Sequence, residues 1–400
     1  TDYTIVNPRN LSVELQNELC FRCHLQGVNV LHDGASFFDF KPGDYIRDHW
    51  NIFLPAFDGK NDQFLMASQA DRLIQSRCFI ESKQISCITC HNPHITVKQT
   101  PVAQFNAPCM QCHNTKGCTE TIAARNLLNN NCSGCHMPKS GSIDIPHVSI
   151  SDHKIQIPGK EKEKAEGKFT GLKAITDLNA SPLTMAKGYL QYYEVFTHQP
   201  VMLDSARMWL NKVKNKDDAY WRACIHLHYL LGNFNQIVQD AELIQQADKL
   251  DAWTYYRIGE SYLALAVYPQ AITYFQKATG VLPYNLDFNL KLGSAYFLAN
   301  NTAEAEKIFL FIVNENPKYE RAWMNLGSIY ALKGNYTEAE AAYKKAIDLD
   351  PDYLQARLSL TDLYTKTRQK QKAKAMLDYL LLFHAENTFV KQMQMEINRL

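Results

Sequence analysis

The stretch AWMNLGSIYALKGNYTEAEAAYKKAIDLDP, residues 322–351, decides how the C-terminal half of this chain folds, because it recurs. Stepping back by 34 residues at a time, Gly327 meets Gly293 and Gly259, and Tyr330 meets Tyr296 and Tyr262. Ala339 meets Ala305 and Ala271, and Pro351 meets Pro317 and Pro283. A fixed period of this length means stacked copies of one supersecondary unit rather than a single globule. Small residues at Gly327 and Ala339 let the two helices of a unit approach closely, while Tyr330 and Tyr343 fill the space beside them. Pro351, with no N–H to donate, stops the second helix. A weaker copy near 354–387 keeps Leu360, Tyr364 and Ala373 in register, and 388–400 reads as a capping helix. Upstream, Trp221 and Gly232 mark a degenerate copy and 184–213 a further helix pair. The expectation is a curved α-solenoid of about six helix pairs over residues 184–400.

The remainder has another character. Residues 1–158 lack long helical periodicity and are rich in Asn, Pro, Gly, Cys and His, so short helices and loops are expected there. Between the two parts, IPGKEKEKAEGKFTGLKAITDLNASP (157–182) carries a charge block and small residues, and 159–183 reads as a linker. The whole chain is expected to be mainly α. Its 400 residues and 46% hydrophobic content suffice for more than one domain. A formal charge of +1 and a pI near 7.5 give no basic footprint, which argues against nucleic acid or an anionic membrane as the main partner. No run approaches the 18 or so apolar residues of a membrane span. The chain begins at Thr1 rather than at a Met, as expected of a processed or truncated product.

Ten of the eleven cysteines lie between Cys20 and Cys135, and eight of them fall in four Cys-x-x-Cys-His segments. These are CFRCH (Cys20, Cys23, His24), CITCH (Cys87, Cys90, His91), CMQCH (Cys109, Cys112, His113) and CSGCH (Cys132, Cys135, His136). At this chain's own Cys and His frequencies, chance supplies on the order of 0.01 such matches, and the pattern is the signature of covalent haem attachment. Two thiols on one helical turn suit two thioether bonds to a porphyrin edge, and the next residue places an imidazole under the iron. His24, His91, His113 and His136 are therefore the expected proximal ligands of four c-type haems. Zinc ribbons and disulfides also use Cys-x-x-Cys pairs, but neither accounts for a His after every pair.

Five histidines remain in this part for the second axial positions: His32, His49, His94, His147 and His153. His94, in CHNPH, cannot wrap round to the far face of the haem served by His91, so it is expected to ligate a neighbour. His147 and His153 follow the last motif in IPHVSISDHKI, where a returning segment reaches two distal faces. The fourth ligand falls to His32 or His49, between which the sequence does not choose. Met66 is an alternative ligand that would raise the potential of its haem. Cys78 and Cys118 stand outside the motifs, and in an oxidising compartment one disulfide between them is the economical reading, two buried free thiols the other. In the C-terminal part Cys224, His226 and His228 cluster, which reads as ordinary packing.

With these residues in view, the chain resembles the multihaem cytochromes c that carry a tetratricopeptide-repeat domain. The resemblance rests on SRCF and CITCHNPH, then CMQCH, CSGCHMPKS and SDHKI, and independently on the repeat pattern. It implies closely packed bis-histidine haems, export before haem attachment and hence a periplasmic or extracellular location. An extra cysteine pair, matching Cys78 and Cys118, is implied as well. Relatives often have further motifs upstream, whereas nothing precedes Cys20 here. The expected work is electron transfer to and from redox partner proteins, with the repeats holding a protein partner or a second copy in a homo-oligomer or filament. The alternative is a multihaem oxidoreductase with one open iron, against which five candidate distal histidines for four irons argue.

Overall fold

In the computed structural model, the described residues are 6–58, 68–113, 117–141, 145, 147–158, 167–247 and 249–399. Met66 and residues 159–166 of the expected linker lie outside them. The chain is mainly helical and divides into two compact units, residues 1–214 and 215–400.

The first unit opens with α1 (Val13–His24), capped by the Ser12 hydroxyl accepting from Leu15 N–H. Strands β1 (Val28–Leu31) and β2 (Trp50–Phe57) follow. Short helices come next: α2 (Gln69–Ile74), α3 (Arg77–Ser82), α4 (Cys87–Cys90), α5 (Val102–Cys112), α6 (Ile122–Leu127) and α7 (Cys132–His136). A two-residue pair, β3 (Lys139–Ser140) and β4 (Ile150–Ser151), leads to β5 (Phe169–Ala174), α8 (Pro182–Tyr192) and α9 (Pro200–Leu210). β2 lies between β1 and β5 in an antiparallel sheet, with Val28 opposite Phe53 and Phe53 opposite Ala174.

This sheet is a departure from the loops and short helices expected of the N-terminal part. β2, WNIFLPAF, is an apolar run broken only by Asn51, and its first five residues are buried, the pattern of a strand covered on both faces. Trp50, Ile52 and Leu54 form one core with Leu25, Phe40, Ile46 and Ala70. On the other side Gly188 of α8 lies so close to Phe53 that an added Cβ would stand 3.1 Å from the ring. The Tyr189 hydroxyl accepts from Leu172 N–H at 3.0 Å. The stretch read as a linker thus supplies β5, and the helix pair at 184–213 packs with the first unit, so the division falls near residue 214 rather than at 159–183.

The second unit is a run of antiparallel helix pairs. They are α10 (Asp218–Leu230) with α11 (Phe234–Glu242), α12 (Ala252–Ala264) with α13 (Tyr268–Val281), and α14 (Leu286–Leu298) with α15 (Thr302–Glu315). Next come α16 (Glu320–Leu332) with α17 (Tyr336–Leu349), then α18 (Leu354–Lys366) with α19 (Lys370–His384), and α20 (Thr388–Arg399) closes the series. The expected close approach inside a pair is present: a Cβ on Gly259, Gly293 or Gly327 would stand 2.8, 2.7 or 2.6 Å from the ring of Phe275, Phe309 or Tyr343. The turn within each pair repeats as well. Gly232, Ala266, Asn300, Gly334 and Arg368, each 34 residues after the last, all adopt a left-handed backbone. After each, an N–H returns to a carbonyl five residues earlier, as in Asn335 to Tyr330 and Gln369 to Tyr364, which satisfies the free end of the first helix. Among the described residues no helix is long and apolar enough to cross a membrane.

Candidate functional site

Each Cys-x-x-Cys-His segment occupies a helical turn, as two thiols aimed at one edge require. Cys20, Cys23 and His24 end α1; Cys87 and Cys90 form α4 with His91 just beyond; Cys109 and Cys112 end α5 before His113; Cys132, Cys135 and His136 make up α7. Successive motifs abut. Cys20 and Cys87 share a hydrogen bond, which holds the Cys20 thiol down to about 7 and pushes that of Cys87 up. Cys109 raises the thiol of Cys90, beyond the effect of burial, and is itself raised by burial, by Cys132 and by Cys78. Thiols of all four motifs therefore belong to one chain of neighbours.

Two asparagines build this arrangement, and the same contact occurs twice. Asn17, one turn before Cys20, accepts from Cys87 N–H at 3.1 Å and donates to the Ile85 carbonyl at 3.1 Å. Asn106, one turn before Cys109, accepts from Cys132 N–H at 3.0 Å and donates to the Asn130 carbonyl at 2.9 Å. In both cases the side chain clamps the amide of the next motif's first cysteine and the carbonyl two residues before it. The four motifs are thus two copies of a two-motif unit. Neither asparagine was singled out from sequence; the shared Asn-x-x-Cys spacing is the signal that points to them.

The histidines are placed unevenly. His91 and His153 are brought together, ring centres 6.1 Å apart and planes 25° apart. Both imidazoles are held below their ordinary value, by burial first and by nearby histidines, His24 among them. Nδ1 of His153 lies 3.0 Å from the Ser151 carbonyl and Nδ1 of His136 2.8 Å from the Gln156 carbonyl. A carbonyl only accepts, so both rings carry a proton on Nδ1, and in the neutral ring that leaves Nε2 as the lone pair that ligates metal. Nδ1 of His24 is 3.3 Å from the Gln69 amide oxygen, which selects the same tautomer.

His49 and His32 are joined through the backbone, His32 N–H donating to the His49 carbonyl at 2.9 Å. His49 packs edge-on against Phe40, whose ring lies under the Arg22 guanidinium of the first motif, and its Nε2 meets Asp44 at 3.1 Å. Nε2 of His32 is 3.4 Å from the Asn51 amide nitrogen. His94, His113 and His147 are exposed, His94 within a turn closed by the Asn92 side chain and His147 in a left-handed conformation.

Cys78 and Cys118 are both free thiols, so the expected bridge is not formed. Cys78, on α3, sits near Cys109, while Cys118 is exposed. Cys224 is a buried residue of the second unit whose thiol is pushed up to about 11, chiefly by burial. Its neighbour His228 meets Asp240, Nδ1 to Oδ2, at 2.7 Å.

Arg72 and Asp152 are further residues that the sequence did not disclose. They form a buried two-pronged pair, Nε to Oδ1 at 2.8 Å and Nη2 to Oδ2 at 2.6 Å, between α2 and the segment after β4. Asp152 also accepts from Lys154 N–H at 2.8 Å.

Models of the tetratricopeptide repeat match residues 256–320 and 320–353. The C-terminal part thus carries tetratricopeptide repeats, a fold that mediates protein–protein interaction. No curated protein matches the chain. Among solved structures it is similar to MamA from Desulfovibrio magneticus RS-1, at 18% identity over 44% of this chain and 99% of that one, TM-score 0.40. It is also similar to YrrB, described as a tetratricopeptide-repeat protein with an unusual peptide-binding site, at 19% identity over 43% and 89%, TM-score 0.38. A third is the first such domain of Spaghetti (RPAP3) bound to an HSP90 peptide, at 24% identity over 30% and 94%, TM-score 0.28.

Proposed function

We propose that this chain transfers electrons outside the cytoplasm through four covalently attached c-type haems, while its repeats hold a protein partner or another copy of the chain. The observation that carries this reading is the packing of four Cys-x-x-Cys-His turns one against the next, the first against the second and the third against the fourth through Asn17 and Asn106. Attachment uses the thiol pairs Cys20/Cys23, Cys87/Cys90, Cys109/Cys112 and Cys132/Cys135. The imidazoles of His24, His91, His113 and His136 supply the proximal positions. When bound, haem supplies a one-electron iron couple whose potential follows from its axial ligands and burial.

The residues of the chain do the rest. Asn17 and Asn106 set the spacing within each pair of motifs, and the Nδ1–H bonds of His136 and His153 fix their rings with Nε2 free. The periplasm or the cell exterior is the fitting location, where such thiols meet exported haem.

The test is absorption and electron paramagnetic resonance spectroscopy of the purified protein with a haem-to-protein ratio. Four low-spin haems per chain are expected. A high-spin fraction near one quarter would instead favour an oxidoreductase with one open iron, and a colourless protein would overturn the reading. Light scattering against concentration tests the repeats: growth in mass marks self-assembly, and a constant monomer assigns the repeats to a different protein.

A further inference from the structure

We propose that His91 and His153 are the two axial ligands of a single haem, the one attached at Cys87 and Cys90, and that the Arg72–Asp152 pair positions His153 for it. The assignment rests on the reading of the motifs as haem sites. It goes beyond that reading by giving a distal ligand to a particular motif, and by matching a histidine that follows the fourth motif to the second.

The geometry is the first argument. Two imidazoles bound on opposite faces of one iron have ring centres about 6 Å apart, from two metal–nitrogen bonds of ~2 Å and ~1 Å from each donor nitrogen to its ring centre. His91 and His153 stand 6.1 Å apart with nearly parallel planes. An offset aromatic pair also falls in this range. His153 also gives its Nδ1 proton to the Ser151 carbonyl and so keeps Nε2 as a lone-pair donor, as ligation requires.

The second argument is how the ring is delivered. Asp152, immediately before it, is 4% exposed and gripped by the Arg72 fork. The backbone on either side is tied down too. Lys139 pairs with Ser151, Asp152 N–H donates to the Pro138 carbonyl at 2.9 Å, and Gln156 N–H donates to the His136 carbonyl at 3.1 Å. A paired, buried carboxylate cannot leave its arginine without stranding a charge, so the segment holds one conformation. The pair thereby anchors the backbone that carries His153. His24 is the competing partner, since it lies within electrostatic reach of both rings.

The experiment uses the full haem-loaded chain. His153→Ala is expected to keep four haems by pyridine haemochrome assay while one of the four turns high-spin, and His153→Met to return that haem to low spin at a higher potential. In a Cys87→Ser/Cys90→Ser background, with three haems, His153→Ala should add no high-spin signal; in a Cys20→Ser/Cys23→Ser background it should still add one. Arg72→Lys, which keeps the charge but loses the fork, should give a mixed-spin signal from the same haem and leave the other three unchanged. Four low-spin haems in His153→Ala, or the opposite result in the two backgrounds, would overturn the assignment. If a variant fails to fold, a structure of the haem-loaded wild-type chain decides it: an iron bonded to both rings supports the pairing, and any other partner for His153 refutes it. A wild-type chain without haem would instead remove the underlying reading, before any variant is compared.

Discussion

Replacing Asn17 by Ala should loosen the contact between the first two motifs far more than the matching change at Asn106 loosens the last two. Asn17 is 4% exposed, and its amide makes one hydrogen bond to Cys87 N–H and one to the Ile85 carbonyl. Losing two bonds at about 1 kcal/mol each, and leaving a largely buried N–H without an acceptor, gives about 2–3 kcal/mol. Asn106 makes the same two bonds from a half-exposed position where water can replace it, so its loss should cost about 1 kcal/mol. Hydrogen exchange by mass spectrometry on peptides spanning 84–91 and 129–136 reads each site locally. A 2 kcal/mol loss speeds exchange of the Cys87 amide about 30-fold, against about fivefold at Cys132. Equal changes at the two sites, or none at Cys87, would show that the clamp does not hold the motifs together.

Three further outcomes are expected. Gly327→Ala should destabilise the repeats by about 1 kcal/mol despite Ala's better helix propensity, because its Cβ would meet the Tyr343 ring at 2.6 Å, whereas Ala266→Gly should stabilise them by about 1 kcal/mol by relieving a left-handed backbone; thermal denaturation followed by circular dichroism checks both signs. Glu340 is held down to about 2, from 4.5, first by the Lys344 hydrogen bond and then by Lys372 and Tyr364. Its contribution is therefore full above pH 4.5 and is lost as pH falls towards about 2. Solvent screening reduces it to about 1 kcal/mol, and Glu340→Gln should flatten that part of the stability–pH curve. Thiol titration of the denatured haem-loaded protein should find three free groups, Cys78, Cys118 and Cys224, where eleven would mean no attachment and one would mean that the Cys78–Cys118 bridge forms.

The repeats were legible because periodicity is a property of the chain itself: Gly259, Gly293 and Gly327 announce both the register and the tight helix contact. The outer copies are weaker for a physical reason. They carry Ile225 and Thr361 where the central copies have Gly259, Gly293 and Gly327, and the left-handed turn that all five share at 232, 266, 300, 334 and 368 is marked by Gly only at 232 and 334. The motifs were legible as well, down to the helical turn each occupies. What joins them was not, because Asn17 and Cys87, like Arg72 and Asp152, are 70 and 80 residues apart, and the Asn-x-x-Cys spacing that marks the asparagines does not say which amide they meet. β5 was hidden by the charge run KEKEKAEGK ahead of it, which made a short strand read as part of a linker. The unformed Cys78–Cys118 bridge has a similar origin, since counting leftover cysteines says nothing about where they stand.

β2 ends at Phe57 and its antiparallel neighbour β5 begins at Phe169, so three of the four motifs are carried on an excursion pinned at both ends by the same sheet. During synthesis, β5 emerges only after those motifs are complete. Until then β2 has one sheet neighbour, β1, and its outer edge stays open. Closing so long a loop is entropically costly and slow, which makes strand closure a late event in folding. The cysteine-bearing segment therefore spends the early life of the chain unfastened at its C-terminal end, and the sheet acts as a clasp that shuts once the residues it encloses are in place.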